Sequence, residues 1–400
     1  MKLQIWTPEL RLWLDGMSRD AGFAAAAVAR VREADDPVAA QESARFSAWV
    51  DAGGAAEMEY LKRRDEAGTL LRGALRVAIP WARSVVVCAL NYNADAPRSV
   101  DPASAGTGWI ARYAWSGRRL EDGTTIPTDY HNELLARLRT IETGLLAQTS
   151  CTTRCYVDTG PVLERSFAAQ AGVGWIGKNT CVINQQLGSW LLLGVIVTSL
   201  PVGDEAGGLA GALPAVLPAQ DRCGTCTRCI DACPTGALLG SRAPEAPREM
   251  DAARCIAYLT IEKKGAIEQS LRARMGRQVF GCDICQDVCP WNRKAAAGAH
   301  EGMQARGELI NPALEWLAAM DAKEFKRRFR GSPLERTGRK RLLRNAAIAM
   351  GNSGEARFLP QLDAWAEGAA SAVSVEAGDR VLRETAEWAR TQILARSPAG

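Results

Sequence analysis

The 400-residue sequence predicts an α+β chain in three parts, and three observations predict it. Short valine-rich apolar runs alternate with helical patterns through the first half. Eight of the twelve cysteines are confined to the stretch from Cys223 to Cys289. Beyond about Asn292 the apolar spacing is helical, with no strand signal. The parts so defined are an α/β unit over residues 1–202, a cysteine-rich segment over 203–300 and an α-helical tail over 301–400.

The N-terminal elements follow from their spacing. Leu10 to Val31 is apolar at helical intervals, broken at Gly22, and Ser43 to Leu61 is a second such pattern, interrupted at Gly53-Gly54. Ser84 to Leu90 is a continuous apolar run rich in valine, which predicts a strand buried on both faces. Asp129 to Leu146 predicts a helix, Cys155 to Val157 a short strand, Glu164 to Ala171 a helix and Trp190 to Leu200 a second buried strand. Pro201 to Gln220, rich in Gly, Ala and Pro, reads as a linker. In the tail, Pro312 to Arg330, Lys340 to Met350 and Val381 to Ala395 are amphipathic, and they read as packed helix pairs of HEAT type without a clean repeat period.

Composition narrows the classes. The chain is 47% hydrophobic and 24% charged with a net charge of +4, ordinary for a globular protein and too weak for a global field toward nucleic acid. The first thirty residues carry Glu9, Arg11, Asp15, Arg19 and Asp20, so no signal-peptide core is present there. The longest apolar run, Trp190 to Val197, is far short of a membrane span.

The cysteines carry the strongest signal. Cys223, Cys226, Cys229 and Cys233-Pro234 form the C-x2-C-x2-C-x3-C-P run of two-cluster ferredoxins. Three closely spaced thiolates wrap one [4Fe–4S] cube, and the fourth reaches the other cluster. Cys285-x3-Cys289-Pro290 repeats the end of this run, with Cys282 one step earlier. The position where a further cysteine would fall is Val279, and Cys255 is the free candidate to replace it. Cluster one is therefore assigned to Cys223, Cys226, Cys229 and Cys289, and cluster two to Cys233, Cys255, Cys282 and Cys285, in a ferredoxin-like segment. Zinc ribbons favour paired knuckles over triplets with a crossing fourth ligand. Cys88, Cys151, Cys155 and Cys181 read as free thiols, and thiolate ligands point to a reducing cytoplasm.

Three other stretches could carry chemistry. Gly172-Val-Gly-Trp-Ile-Gly177-Lys178-Asn179 is a near-miss phosphate loop: Asn179 stands where a magnesium-binding hydroxyl is needed, and helix rather than strand precedes it. It reads as a glycine turn, either structural or approaching a large ligand. Asp158, before Thr159-Gly160-Pro161, either caps the next helix or acts as a proton donor raised by burial against an apolar cofactor. Lys326 to Arg330 and Arg339 to Arg344 form a basic stripe, either a solvated helix face or a phosphate contact.

Taken together, the motifs resemble one family over nearly the whole chain. They are Ile110-Ala-Arg-Tyr-Ala-Trp115, Asp129-Tyr-His131, Val157-Asp-Thr-Gly160, Ala171 to Asn179, Gly188-Ser-Trp190, the cysteine runs, Arg254 to Thr260, Gly281 to Gln286 and Arg344 to Ile348. This pattern resembles the epoxyqueuosine reductases of tRNA queuosine synthesis. The resemblance implies a cobalamin between the α/β unit and the two [4Fe–4S] clusters, with the helical tail and basic surface holding a tRNA anticodon stem-loop. It implies reduction of epoxyqueuosine to queuosine at the wobble position. Electrons would pass singly through the clusters to cobalt, and an acid would protonate the departing oxygen.

Residue by residue, Asp158 matches the family's proton donor and Arg72 a cobalamin-contacting arginine. Ala111, Val182, Ser189 and Leu193 fall where the corrin is lined, and Ile256 and Asp283 at the cluster-to-cobalt junction. Lys263 and Arg344 are expected tRNA contacts, with Arg339, Lys340 and Arg341 on phosphates. Val195 departs from a common glutamate, and Gly117 to Thr128 is longer than the usual link, which bears on Tyr130 and His131. A monomer with an external electron donor of ferredoxin or flavodoxin type is expected. The competing readings are a cobalamin reductase of the dehalogenase type and an electron-carrier module.

Overall fold

The computed structural model describes residues 2–203, 211–214, 216–243, 248–298, 300–368 and 379–396. Part of the expected 201–220 linker lies outside the described residues. The first unit runs α1 (Pro8–Asp20), β1 (Ala25–Arg30), α2 (Pro37–Asp51), α3 (Leu75–Ala78), β2 (Ser84–Asn91), β3 (Trp109–Ile110), β4 (Ser116–Arg119), β5 (Thr125–Pro127), α4 (Tyr130–Gln148), β6 (Thr153–Tyr156), α5 (Glu164–Gln170), β7 (Trp175–Ile176), β8 (Val182–Ile183) and β9 (Leu191–Thr198). The cysteine segment holds α6 (Arg228–Ala232), α7 (Ile256–Ile261), α8 (Gln269–Arg272), β10 (Gln278–Phe280) and α9 (Ile284–Asp287). Beyond it come β11 (Gln304–Ala305), α10 (Leu314–Ala319), α11 (Ala322–Phe329), α12 (Pro333–Ser353), α13 (Leu359–Glu367) and α14 (Arg380–Arg396).

The organising sheet has the order β1-β2-β9-β6. Every residue of β2 is buried, as its valine run requires for a strand covered on both faces. The alternation of strands and helices is realised here with antiparallel pairing throughout, β1 on β2, β2 on β9 and β6 on β9. Two boundaries differ from expectation. The helical pattern starting at Leu10 stops at Asp20, and Ala25 to Arg30 is a strand because it pairs with β2 from Ala89 to Ser84. Tertiary pairing there outweighs the helix propensity of its alanines. The second pattern is helical over Pro37–Asp51, where Asp36 caps the backbone N–H groups of Val38 and Ala39. Val195 is fully buried between Val87 and Tyr156, where an apolar side chain needs no polar partner.

The three parts are sewn together. β10, just before Cys282, pairs in parallel with β3 of the first unit. β11 pairs with β4, and β4 with β5, so the long 117–128 link is an exposed hairpin on a three-stranded sheet. One apolar cluster contains Ile110 and Trp115, Val279 and Phe280, and Leu342, Ala346, Trp365 and Ala386. The expected boundaries at 202 and 300 therefore mark changes in composition, and the core runs across them. Among the described residues, no helix is long and apolar enough to cross a membrane.

Candidate iron–sulfur and acid site

The four cysteines assigned to cluster one meet around a cavity of about 250 Å³, whose wall also includes Lys178 and Trp291. The chain turns between Cys223 and Cys226 through a backbone bond from the Cys226 N–H to the Cys223 carbonyl (3.0 Å), and Cys289 comes round from the other end of the segment. Among the described residues no three His, Cys, Asp or Glu side chains close on a single ion. Thiols spread around a cavity suit a multi-atom cluster. Burial pushes the Cys229 thiol up to about 12 and Cys289 up to about 11, with neighbouring thiols adding to both. Such a donor set ionises only against a strong positive charge, which bound iron would supply.

The cluster-two cysteines also gather. Burial raises Cys282 well above the ordinary thiol range, and the proximity of Cys255 and Cys233 adds to it. Cys285 is held well above that range by a hydrogen bond with Cys181 and by burial. Gly281 is required at this junction: its φ is +66°, and a Cβ there would lie 2.5 Å from that of Ala111. Cys181, expected only as a free thiol, thus sits against Cys285, an expected ligand of cluster two.

Three of the expected corrin-side residues adjoin this cluster. Ala111 donates its N–H to the Phe280 carbonyl at 2.7 Å, and the Arg112 N–H donates to Asp283 Oδ2 at 2.6 Å. Ser189 donates to Gln286 Oε1 on α9 at 2.9 Å. Burial, with Asp287 adding and Arg112 opposing, pushes the Asp283 carboxyl up to about 7. Arg112, which the sequence reading passed over inside its Ile-Ala-Arg-Tyr motif, lies between Trp115 and Trp190, 5.2 and 4.6 Å from their ring centroids. Val182 is buried in the sheet-side apolar cluster, with Leu193 partly buried against it. Ile256 belongs to the core beside Cys255 and Cys282.

Asp158 follows β6 in a left-handed conformation with φ +57°, uncommon for a residue other than glycine. The turn is tight because Gly160 lies over the Tyr156 ring, where a Cβ would come within 2.5 Å. Arg72 Nη2 donates to the Asp158 carbonyl at 2.8 Å and its Nε to the Val162 carbonyl at 3.1 Å. Arg72, expected on cobalamin, here clamps the acid's loop. The Asp158 side chain is 55% exposed. Tyr130 Oη donates to Asp158 Oδ2 at 2.6 Å, and His131 Nε2 lies 3.9 Å from the same oxygen. Helix α5 has Leu163 before it and no side-chain cap, so the capping role considered for Asp158 is not realised.

A second layer supports this pair. Asp129 caps α4 and accepts from both the backbone N–H and Nδ1 of His131, each at 3.0 Å. Arg336 of α12 pairs with Asp129 Oδ2 and stands over the Tyr130 ring. Burial works against the Asp129 carboxylate, but the His131 hydrogen bonds and the Arg336 charge hold it below the usual range. Burial, reinforced by the Asp158 charge, raises Tyr130 well above the ordinary phenol range, so it stays a donor. Burial also pushes Glu164, beside Arg72, up to about 7.

Among the expected tRNA contacts, Arg344 needs correction. Arg344 is 1% exposed, and its Nη groups donate to the carbonyls of Leu259, Lys263 and Gly265 at 2.6–2.7 Å. Burial lowers it to about 10. It ties α12 to the loop after α7 and cannot reach a phosphate. Arg341 likewise donates to the carbonyls of Ile261, Thr337 and Arg336. Arg339 donates to the Met320 carbonyl at 2.7 Å, and Lys263 pairs with Glu57. Lys340 is exposed, as are Lys326, Arg327, Arg330 and Arg336. Arg344→Ala is expected to destabilise the fold by about 3 kcal/mol or more, since hydrogen bonds from charged groups contribute ~1.5–3 kcal/mol each. A denaturant titration checks this; an unchanged midpoint would leave Arg344 no structural role.

Geometry and donor chemistry together define an iron–sulfur oxidoreductase, in which two thiolate-held clusters adjoin a unit carrying an exposed acid. A family profile for the 4Fe-4S double cluster binding domain matches residues 222–292, and one for the epoxyqueuosine reductase QueG matches 72–159. The chain is 36% identical over 340 residues to the epoxyqueuosine reductase of Xanthomonas campestris, covering 84% of this chain and 85% of that one. It is 33% identical over 360 residues to that of Escherichia coli, covering 89% and 83%. A crystal structure of epoxyqueuosine reductase with an epoxyqueuosine-modified tRNA-Tyr stem loop superposes with a TM-score of 0.76 at 28% identity, over 96% of this chain and 90% of that one. The Bacillus subtilis enzyme, with its catalytic aspartate loop swung out of the active site, gives 0.75 at 27% identity over the same shares. The chain belongs to the epoxyqueuosine reductases, and it carries two [4Fe–4S] clusters.

Proposed function

We propose that this chain reduces epoxyqueuosine to queuosine at the wobble position of a tRNA anticodon, with Asp158 as the acid and cobalamin as the reducing cofactor. The observation that carries this reading is the Asp158 carboxyl itself: half-exposed, fixed through its backbone by Arg72 and through Oδ2 by Tyr130. Oδ1 is left free to carry a proton to the epoxide oxygen once cofactor and substrate cover the carboxyl and favour its protonated form; the second proton needed for the oxygen to leave as water comes from solvent.

Cobalamin suits the surroundings of this acid. β6 ends at Tyr156, paired with Val195, two residues before Asp158, and Leu193, two residues from Val195 on β9, is partly exposed. A partly exposed apolar side chain on this strand suits a large flat ring. Arg72 also stands in the wall of a cavity of about 460 Å³ between α2 and the start of α5. When bound, cobalamin supplies a reduced, nucleophilic cobalt, and the clusters supply electrons singly. The protein orients the substrate and holds the proton. The exposed residues Lys326, Arg327, Arg330, Arg336 and Lys340 give α11 and α12 a cationic face for tRNA phosphates. The electron source is an external carrier of ferredoxin or flavodoxin type.

The test is anaerobic turnover of an anticodon stem-loop carrying epoxyqueuosine, followed by mass spectrometry of the released nucleosides. Conversion to queuosine is expected, with stem-loop affinity falling steeply as salt rises. No conversion, together with turnover of a halogenated aromatic, would move the chain to the dehalogenase type.

A further inference from the structure

The Gly177-Lys178-Asn179 turn has no part in the acid site, yet Lys178 is only 1% exposed. Its Nζ donates to the Gly224 carbonyl at 2.7 Å and reaches the Arg242 carbonyl at 3.5 Å. Both of these partners, among the described residues, are backbone carbonyls and carry no formal charge. A buried ammonium held only by carbonyls is costly unless an anion faces it. Lys178 lines the cavity formed by Cys223, Cys226, Cys229 and Cys289, and so does Asn179. Asn179 is also buried, and its Nδ2 donor has no partner. Among the described residues, a buried positive charge without a counter-anion and one unpartnered amide donor therefore belong to residues that line a space shared with four thiols.

The group that completes this arrangement is the cluster. Four thiolates outweigh the positive charge of an oxidised iron–sulfur core, so the site is net anionic, and more so after reduction. We propose that Lys178, assisted by Asn179, is the counter-charge of cluster one and holds its reduction potential above the value the cysteines alone would set. Net charge and hydrogen bonds to sulfur are the protein's levers on such potentials. The inference rests on cluster one being bound at Cys223, Cys226, Cys229 and Cys289. It also gives the turn a use without nucleotide: the lysine of the near-miss phosphate loop faces an iron–sulfur anion.

The test is a redox titration of the anaerobically reconstituted protein followed by electron paramagnetic resonance. Iron and sulfide analysis of the wild type first establishes that both clusters are present, which separates failure of the two-cluster reading from failure of this one. Lys178→Gln is expected to shift one cluster's equilibrium at least tenfold against reduction, about 59 mV for a one-electron couple, with the other cluster unmoved as an internal reference. Lys178→Arg, which keeps the charge, should stay closer to wild type. Unchanged potentials in Lys178→Gln, or a shift of cluster two alone, would overturn the proposal. If Lys178→Gln does not take up cluster one, Asn179→Ala is titrated instead, since it removes a donor and leaves the tie to Gly224. A lower potential for cluster one then supports the assignment, and an unchanged one overturns it.

Discussion

Asp158→Asn is expected to slow single-turnover reduction of epoxyqueuosine by on the order of 10²–10⁴-fold, the usual contribution of a positioned general acid. Asparagine is the informative substitution here. Asp158 has a positive φ, and asparagine tolerates that region, whereas alanine would add strain. The amide oxygen can still accept from Tyr130, so the hydrogen bond at 2.6 Å survives and only the transferable proton is lost. Chemically reduced cobalamin in the assay separates this step from electron delivery. Stem-loop binding and iron content should match wild type. An undiminished single-turnover rate would assign the proton to another group, with His131, 3.9 Å away, the next to substitute.

Cys255→Ala is expected to remove one cluster and leave the other. Cys255 immediately precedes α7 and is partly buried close to Cys233 and Cys282. Alanine there leaves cluster two with three ligands, while the cavity of Cys223, Cys226, Cys229 and Cys289 is untouched. Iron and sulfide should fall to about half of wild type by the ligand count that divides eight cysteines between two clusters. Retention of both clusters would show that Cys255 is dispensable. Cys181, hydrogen-bonded to Cys285, is the spare thiol beside that site, and a Cys181→Ser, Cys255→Ala double variant would tell whether it stands in.

The cysteine pattern made the two-cluster segment legible because ligand spacing is a local property of the chain. The buried strands were legible for a similar reason: the valine run of β2 needs only its own eight residues to announce burial. What stayed hidden depended on contacts across long separations. Ala25 to Arg30 reads as helix until β2 is beside it. Helix α13 lacked a clear signal of its own, yet Leu362 and Trp365 complete the apolar core. Arg344 reads as surface charge because nothing in its neighbours reveals the three carbonyls, about eighty residues earlier, that it holds. Arg336 likewise gains its meaning from Asp129, 207 positions away. Lys178 was visible as a motif, but its partner in space was a cysteine loop and not the phosphate the motif suggested.

The Arg336–Asp129 pair has a thermodynamic consequence. Arg336 belongs to α12 and is 47% exposed, while Asp129 fixes the start of α4, from which Tyr130 and His131 face Asp158. A ligand that draws Arg336 away from Asp129 changes the free energy of the arrangement around the acid. Linkage then runs both ways: by whatever factor occupancy beside Asp158 alters the affinity of the α12 face, occupancy of that face alters affinity beside Asp158 by the same factor. Under the proposed function the base beside Asp158 and the backbone on the α12 face belong to one molecule, and this ion pair is where their two occupancies would be coupled.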